Sequence, residues 1–257
     1  MTHRATVFFP MAGRGARFGH VFKPFLPIGQ ETFIEAAVRP FRKWASAVER
    51  LIFVFLEEQD IAHHVTARLT NMFQGLPIAT VVLQDPTRGP AETLVRGVAG
   101  AHAVGPAIVC DCDHSVNVDP LFAWIDSPSA EAEAAIPVWD LTGENPQAWS
   151  IASVEPDGSV TAIAEKRFPE GKGEPLGVVG CYCFRHIEQI ADQCARRSLV
   201  NISDVIGELI AENRTVAAVR IEEAEFFGDP SRLQNSLRLR TPAAGDERAE
   251  PRENADG

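Results

Sequence analysis

The stretch VFFPMAGRGARFGHVFKPFLPIG, Val7 to Gly29, decides how the chain folds. A large apolar run, Val7 to Phe9, breaks into a loop holding Gly13 and Gly15 together with Arg14 and Arg17. Lys23 follows between two apolar stretches, directly ahead of Pro24. A short unbroken apolar run is the pattern of a strand buried on both faces, and in open α/β sheets ligands bind beyond the carboxyl ends of the strands. Gly13 and Gly15 allow backbone shapes closed to other residues and let a bulky ligand come close. Their amides can point at phosphate oxygens, and Arg14, Arg17 and Lys23 supply charge that amides lack. The stretch therefore reads as a cradle for a triphosphate. A dinucleotide-binding turn needs G-x-G-x-x-G opening a helix, whereas Pro24 and Pro27 keep this loop extended. A P-loop needs G-K-[ST], which the stretch lacks.

Working outward, short apolar runs at Ala5 to Phe9, Leu51 to Leu56, Ile78 to Leu83 and Ala107 to Asp111 predict strands. Helical patterns at Thr32 to Trp44, Asp60 to Phe73 and Pro90 to Ala103 lie between them. The alternation implies an α/β fold, Rossmann-like, with a mainly parallel central sheet flanked by helices. Beyond it, Trp149 to Val154 and Val160 to Glu165, joined by EPDG, predict a hairpin. Leu176 to Phe184 predicts one long strand, His186 to Arg197 and Ser203 to Asn213 helices, Val216 to Ile221 and Ala224 to Phe227 strands, and Pro230 to Leu239 a last helix. This second half is a small β insertion into the nucleotide-binding half. From Thr241 the chain has no apolar periodicity, so residues 1–240 are expected to form one domain and 241–257 a disordered tail.

With 257 residues, 45% of them hydrophobic, one large core is accessible. A net charge of −11 argues against nucleic-acid or anionic-membrane binding. There is no apolar run of about 18 residues, and the N-terminal apolar segment is too short for a signal peptide, so a cytoplasmic protein is expected, with a homo-oligomer left open. The cysteines form two C-x-C pairs, Cys110/Cys112 and Cys181/Cys183, plus Cys194. Zinc sites usually show C-x₂₋₄-C spacing, so the pairs are read as buried thiols in strands. His63 and His64 are expected to be solvated, and Trp44, Trp124 and Trp139 to pack. Trp149 is placed to wall a pocket.

With Lys23 included, MAGRGARF…KPFLPIG resembles the signature of the sugar-phosphate nucleotidylyltransferases, of glycosyltransferase-A-like fold. The resemblance runs through LQDPTRGPAETL, IVCDCDHSV, AWSIASVEPDG, VTAIAEKR, GVVGCYCF and FFGDPSRL. It implies a nucleoside triphosphate (NTP) held by Ala12, Gly13, Arg14 and Gly15, with Gln84 and Gly89 facing the base and Arg17 and Lys23 as catalytic cations. It implies Mg²⁺, or Mn²⁺, on Asp113, with Asp111 beside the nucleotide. Ser150, Glu165, Lys166 and Val179 would contact a small phosphorylated acceptor, a sugar 1-phosphate or an alcohol phosphate such as phosphocholine. The reaction would be attack of the acceptor phosphate on the α-phosphorus, with pyrophosphate leaving.

The pattern also departs from the family. Phe226 stands where many members carry a second metal-binding aspartate, so either Asp229 or Glu225 substitutes or one metal is held without a second carboxylate; of the two, Asp229 is favoured because Gly228 can turn it toward the site. Asp111 and Asp113 make a literal D-x-D, the metal motif of true glycosyltransferases. Two alternatives follow: a glycosyltransferase using a nucleotide-sugar, and a non-catalytic nucleotide-binding paralogue.

Overall fold

The computed structural model describes residues 4–13, 19, 21–127 and 131–240. Arg14, Gly15, Arg17 and the tail from Thr241 lie outside the described residues, and so do the expectations placed on them.

The nucleotide-binding half holds β1 (Ala5–Pro10), a short ribbon of β2 (Pro27–Ile28) and β3 (Glu31–Thr32), α1 (Phe33–Val38), β4 (Val48–Leu56), α2 (Glu57–His63), α3 (Val65–Met72), β5 (Ile78–Leu83), α4 (Pro90–Ala101) and β6 (Ala107–Cys110). Then come β7 (His114–Val116), α5 (Asp119–Asp126), β8 (Ala134–Trp139), β9 (Ser150–Val154), β10 (Val160–Glu165), β11 (Glu174–Val178), β12 (Cys181–Phe184), α6 (Ile187–Arg197), α7 (Ile202–Ala211), β13 (Val216–Arg220), β14 (Ala224–Phe226) and α8 (Pro230–Arg240). The described residues include a ten-stranded sheet in the order β10-β9-β11-β8-β12-β6-β1-β4-β5, with β13 alongside β8. β1 runs parallel to both β4 and β6, and β4 to β5. β12 is antiparallel to β6 and β8, β11 is antiparallel to β8 and β9, and β10 closes the edge antiparallel to β9. The mainly parallel half with its β insertion is the expected α/β architecture. None of the described helices is long and apolar enough to cross a membrane.

The two-residue period of β1 sorts its side chains into two cores. Phe8 joins Ile52, Val54 and Val109 on one face, while Val7 and Phe9 join Phe53, Phe55 and Ile108 on the other. Phe9 stacks on Phe53 at 5.3 Å, and Phe53 on Phe73 at 5.4 Å. Full burial of such a side chain contributes about 1.5–3 kcal/mol, so the sheet is anchored from both sides where the site sits.

Several boundaries differ from expectation for identifiable reasons. The helix expected to run unbroken to Trp44 stops at Val38 and continues as a 3-10 segment, Arg39–Trp44, because Pro40 has no N–H for the α-helical ladder. The helix expected at Asp60 to Phe73 begins earlier, at Glu57, and splits at His64, whose φ is 52°. The single strand expected at Leu176 to Phe184 is two, β11 and β12, separated at Val179 and Gly180. β8, in the middle of the sheet, gave no strand signal because it carries Pro137; prolines normally sit at sheet edges. Cys110 and Cys181 face each other across the β6–β12 ladder and are joined as a disulfide, which corrects the reading of both as thiols. Cys183 is a buried free thiol in a strand, as expected, whereas Cys112 is half-buried and lies beyond the end of β6; Cys194 is a buried free thiol on α6. His63 is not simply solvated: its ring stacks on Phe22 at 5.3 Å.

Candidate active site

Because β1 lies between β4 and β6, the loops leaving β1 and β6 share one crevice at their carboxyl ends, where α/β sheets bind ligands. The β1 loop is fixed at its root. The Met11 amide donates to the Val54 carbonyl at 2.7 Å, and the Gln59 side chain donates to the Gly13 carbonyl at 3.0 Å while accepting from the Leu56 amide at 2.9 Å. Gln59 is buried. This clip was not read from the sequence, where Gln59 is one polar residue in an acidic helix start. Among the described residues, nothing lies within 4 Å of the place a Cβ on Gly13 would take, as a cradle for a ligand requires.

Lys23 opens a 3-10 turn, Lys23–Phe25, whose flanking aromatics pin it. Phe22 stacks on His63, meets Phe25 edge-on at 5.1 Å, and the Arg68 guanidinium lies 3.6 Å over Phe25. The lysine between them reaches Asp113, Nζ to Oδ2 2.6 Å, across a separation of 90 residues. Burial alone would pull the Lys23 ammonium down, but the Asp113 carboxylate outweighs it and holds Lys23 above its ordinary value. Burial likewise works to raise Asp113, yet His114 and Lys23 outweigh it and leave that carboxyl well below the usual range. Desolvation, then repulsion from Asp113, push Asp111 up to about 6.

Two glycines make room for these carboxylates. A Cβ on Gly228 would lie 2.7 Å from Asp113 Oδ2, and one on Gly180 would overlap Asp111. The ribbon of β14 on β7 sets Phe226 opposite His114, and the Phe227 amide donates to the Asp113 carbonyl at 3.0 Å. The ligand atoms of Asp111, Asp113 and His114 lie within 4.8 Å of one another. Two carboxylates and an imidazole suit a small divalent ion, and the all-oxygen part suits Mg²⁺. His114 was not singled out in the sequence, although it directly follows Asp113.

A cavity of about 420 Å³ adjoins these residues, lined by Ser150, Glu165, Lys166, Tyr182 and Trp149 among others. Glu165 accepts from the hydroxyls of Ser150 and, at 3.1 Å, Ser203. Lys166 adopts a left-handed backbone, φ 57°, with its amide donating to the Trp149 carbonyl at 2.8 Å. Burial, then Asp111 and Glu165, push the Tyr182 phenol far up, so it stays a neutral hydroxyl. Ser150, Glu165, Lys166, Asp111 and Asp113 are thus brought together. Val179 is not: it is fully buried in the core, and its neighbours Val178 and Gly180 line the cavity. Side chains alternate between faces along an extended chain, and Val179 falls on the core side. Gln84 is exposed at the end of β5. Gly89 is pressed against the Val200 carbonyl, where a Cβ would lie 2.5 Å away, so packing accounts for that glycine.

Asp229 also lines the cavity, but its oxygens are engaged locally. One accepts from the Ser231 amide at 3.0 Å, the Ser231 hydroxyl at 2.6 Å and the Arg232 amide at 3.1 Å; the other faces Arg232 Nε at 3.1 Å. This is an N-cap on α8. Glu225 is turned away to Arg240, with both contacts at 2.7 Å. The carboxylate that converges on Asp113 is therefore Asp111. Since asparagine caps about as well as aspartate, Asp229→Asn is expected to leave the Mg²⁺ requirement unchanged and to alter stability by less than about 1 kcal/mol. Magnesium titration of turnover together with a melting curve checks this, and a raised Mg²⁺ requirement at unchanged melting would restore Asp229 as a ligand.

Residues 10–205 match the model of the MobA-like NTP transferase domain. No curated protein sequence matches the chain. Among solved structures, the chain is similar to a nucleoside-diphosphate-sugar pyrophosphorylase from Vibrio cholerae RC9, with a TM-score of 0.72 and 24% identity over 90% of this chain and 99% of that one. It is similar to a UDP-glucose pyrophosphorylase complexed with UDP-glucose, with a TM-score of 0.73 and 16% identity over 92% and 98%. An inositol-1-phosphate CTP transferase from T. maritima superposes with a TM-score of 0.71 and 13% identity over 93% and 97%.

Proposed function

The chain belongs to the MobA-like NTP transferase family and is a nucleotidyltransferase, and from that premise we propose that it transfers a nucleoside monophosphate from an NTP to a compact phosphorylated polyol or alcohol, releasing pyrophosphate. The observation that carries the reading is the 2.6 Å contact of Lys23 with Asp113, which ties the glycine loop to the carboxylates at the mouth of the cavity. A glycosyltransferase built on Asp111 and Asp113 alone would leave that lysine without a task. Relatives of the same fold include proteins described by UDP-glucose and by inositol 1-phosphate, both ringed polyols. Ser150, Tyr182 and Glu165 offer hydroxyl and carboxylate partners of the kind such a ring needs.

In this reading Gly13 and the residues after it hold the triphosphate, and Lys23 holds a fixed positive charge where the attacking and α-phosphates meet. That charge is in place before substrate arrives, so no reorganisation is needed as negative charge builds up. Lys166 meets the acceptor phosphate, and Glu165 orients its hydroxyls. A phosphate monoester is already an anion at neutral pH, so positioning and charge neutralisation suffice and no general base is assigned. Asp111, Asp113 and His114 would hold Mg²⁺ or Mn²⁺, which when bound supplies Lewis-acid neutralisation of phosphate oxygens. The test is a pyrophosphate-release screen of the four common NTPs against sugar 1-phosphates, inositol phosphate and small alcohol phosphates. Release that requires both one NTP and one acceptor is expected. No acceptor-dependent release from any pair would overturn the proposal.

A further inference from the structure

Resting on that reading, we propose that Arg232, with Phe226, is a partition that limits the acceptor to one ring or a short chain, and is therefore a specificity-determining residue. Behind the acceptor cavity lies a second one of about 970 Å³, lined by Gly29, Glu225, Asn235 and Arg240 among others. Phe226 and Arg232 line both cavities. Arg232 spans the gap. Its guanidinium lies 4.1 Å over the Trp149 ring, donates to Glu144 at 2.8 Å on the far side and meets Asp229 at 3.1 Å on the near side. Glu144 also accepts from Trp149 Nε1 at 3.3 Å, so it ties both sides of the wall. Phe226 completes the wall by packing on Trp139 at 4.9 Å and Trp149 at 4.6 Å.

An arginine stacked on an indole and held by two carboxylates is fixed in direction. It cannot swing aside without giving up both ion pairs, so it acts as a wall rather than a flexible fringe. The room beyond is already formed, and its Glu225, Glu31, Arg39 and Arg240 charges satisfy one another. The space is closed to an acceptor by the partition and not by lack of volume. The class admitted is a compact phosphorylated polyol or alcohol, and the class refused is a phosphorylated oligosaccharide or another acceptor extended on the side away from its phosphate.

The experiment measures kcat/KM for a monosaccharide 1-phosphate and for a disaccharide 1-phosphate of the same reducing sugar, in wild type, Arg232→Ala and Glu144→Ala. Their ratio cancels any loss of folded enzyme. Glu144 lies on an outer loop, so its variant reads the same device should Arg232→Ala fold poorly. Wild type is expected to prefer the smaller acceptor, and the ratio to move at least tenfold toward the larger one in Arg232→Ala and in the same direction in Glu144→Ala. An unchanged ratio in variants that still turn over the small acceptor would overturn the partition alone. Absence of turnover with every acceptor in wild type would overturn the functional reading and the partition with it.

Discussion

Replacing Lys23 by alanine is expected to lower turnover by two orders of magnitude or more while leaving the protein folded. Loss of one preorganised charge or donor at a developing anion costs about 10²–10³ in rate, roughly 2.7–4 kcal/mol. Lys23 is suited to that role because Asp113 keeps it protonated and aimed, and because the Phe22–His63 and Phe25–Arg68 contacts hold its backbone independently of the side chain. Those aromatic contacts survive truncation of the lysine, which is why the fold should persist. Steady-state pyrophosphate release with far-ultraviolet dichroism checks both halves. Near-wild-type turnover in a folded Lys23→Ala protein would remove Lys23 from the chemistry.

Asp113→Asn is expected to act more severely, taking metal-dependent turnover to or below detection. The substitution keeps the size that fits against Gly228 but removes the charge. Three consequences follow at once. The Lys23 ammonium loses the anionic charge of its 2.6 Å partner, the group of Asp111, Asp113 and His114 loses a full negative charge, and the repulsion that helps push Asp111 up to about 6 disappears. A hard divalent ion is held mainly by carboxylate charge, so extra Mg²⁺ should restore little. Turnover titrated against Mg²⁺ and Mn²⁺ decides the matter. Full activity of Asp113→Asn at ordinary Mg²⁺, or full wild-type activity in excess chelator, would place the metal elsewhere or dispense with it.

The parallel half was legible because its signal is local. Val7 to Phe9 and Leu51 to Leu56 are buried on both faces and so read as apolar runs, and the edge strand Ile78 to Leu83 reads as one although it is mostly half-buried, with Val82 exposed. The meeting of Lys23 with Asp113 was legible only as a resemblance between separate motifs, since nothing in the spacing of two residues 90 apart predicts contact. The β insertion was harder. Pro137 disguised β8, and the break at Val179 and Gly180 interrupts two strands that run in the same direction along β8, with Val178 on the cavity and Val179 in the core. Gln59, His114 and Arg232 were missed because their roles come from tertiary neighbours. Gln59 reads as a helix-start residue, His114 as the tail of an aspartate motif, and Arg232 as an exposed position in a polar helix. Phe226 showed in the sequence as a missing aspartate. Its role became apparent only when β14 laid it against Trp139 and Trp149.

In the proposed reaction the α-phosphorus of an NTP passes, beside Lys23 and Asp113, to the phosphate of an acceptor. The most direct measurement follows two radiolabels in the NTP identified by the release screen, incubated with its acceptor and Mg²⁺. An α-phosphate label is expected to end in a new acceptor-linked nucleotide and a γ-phosphate label in pyrophosphate, in equal amounts. Recovery of the α label as free monophosphate, or of the γ label as orthophosphate or on the acceptor, would contradict that reaction.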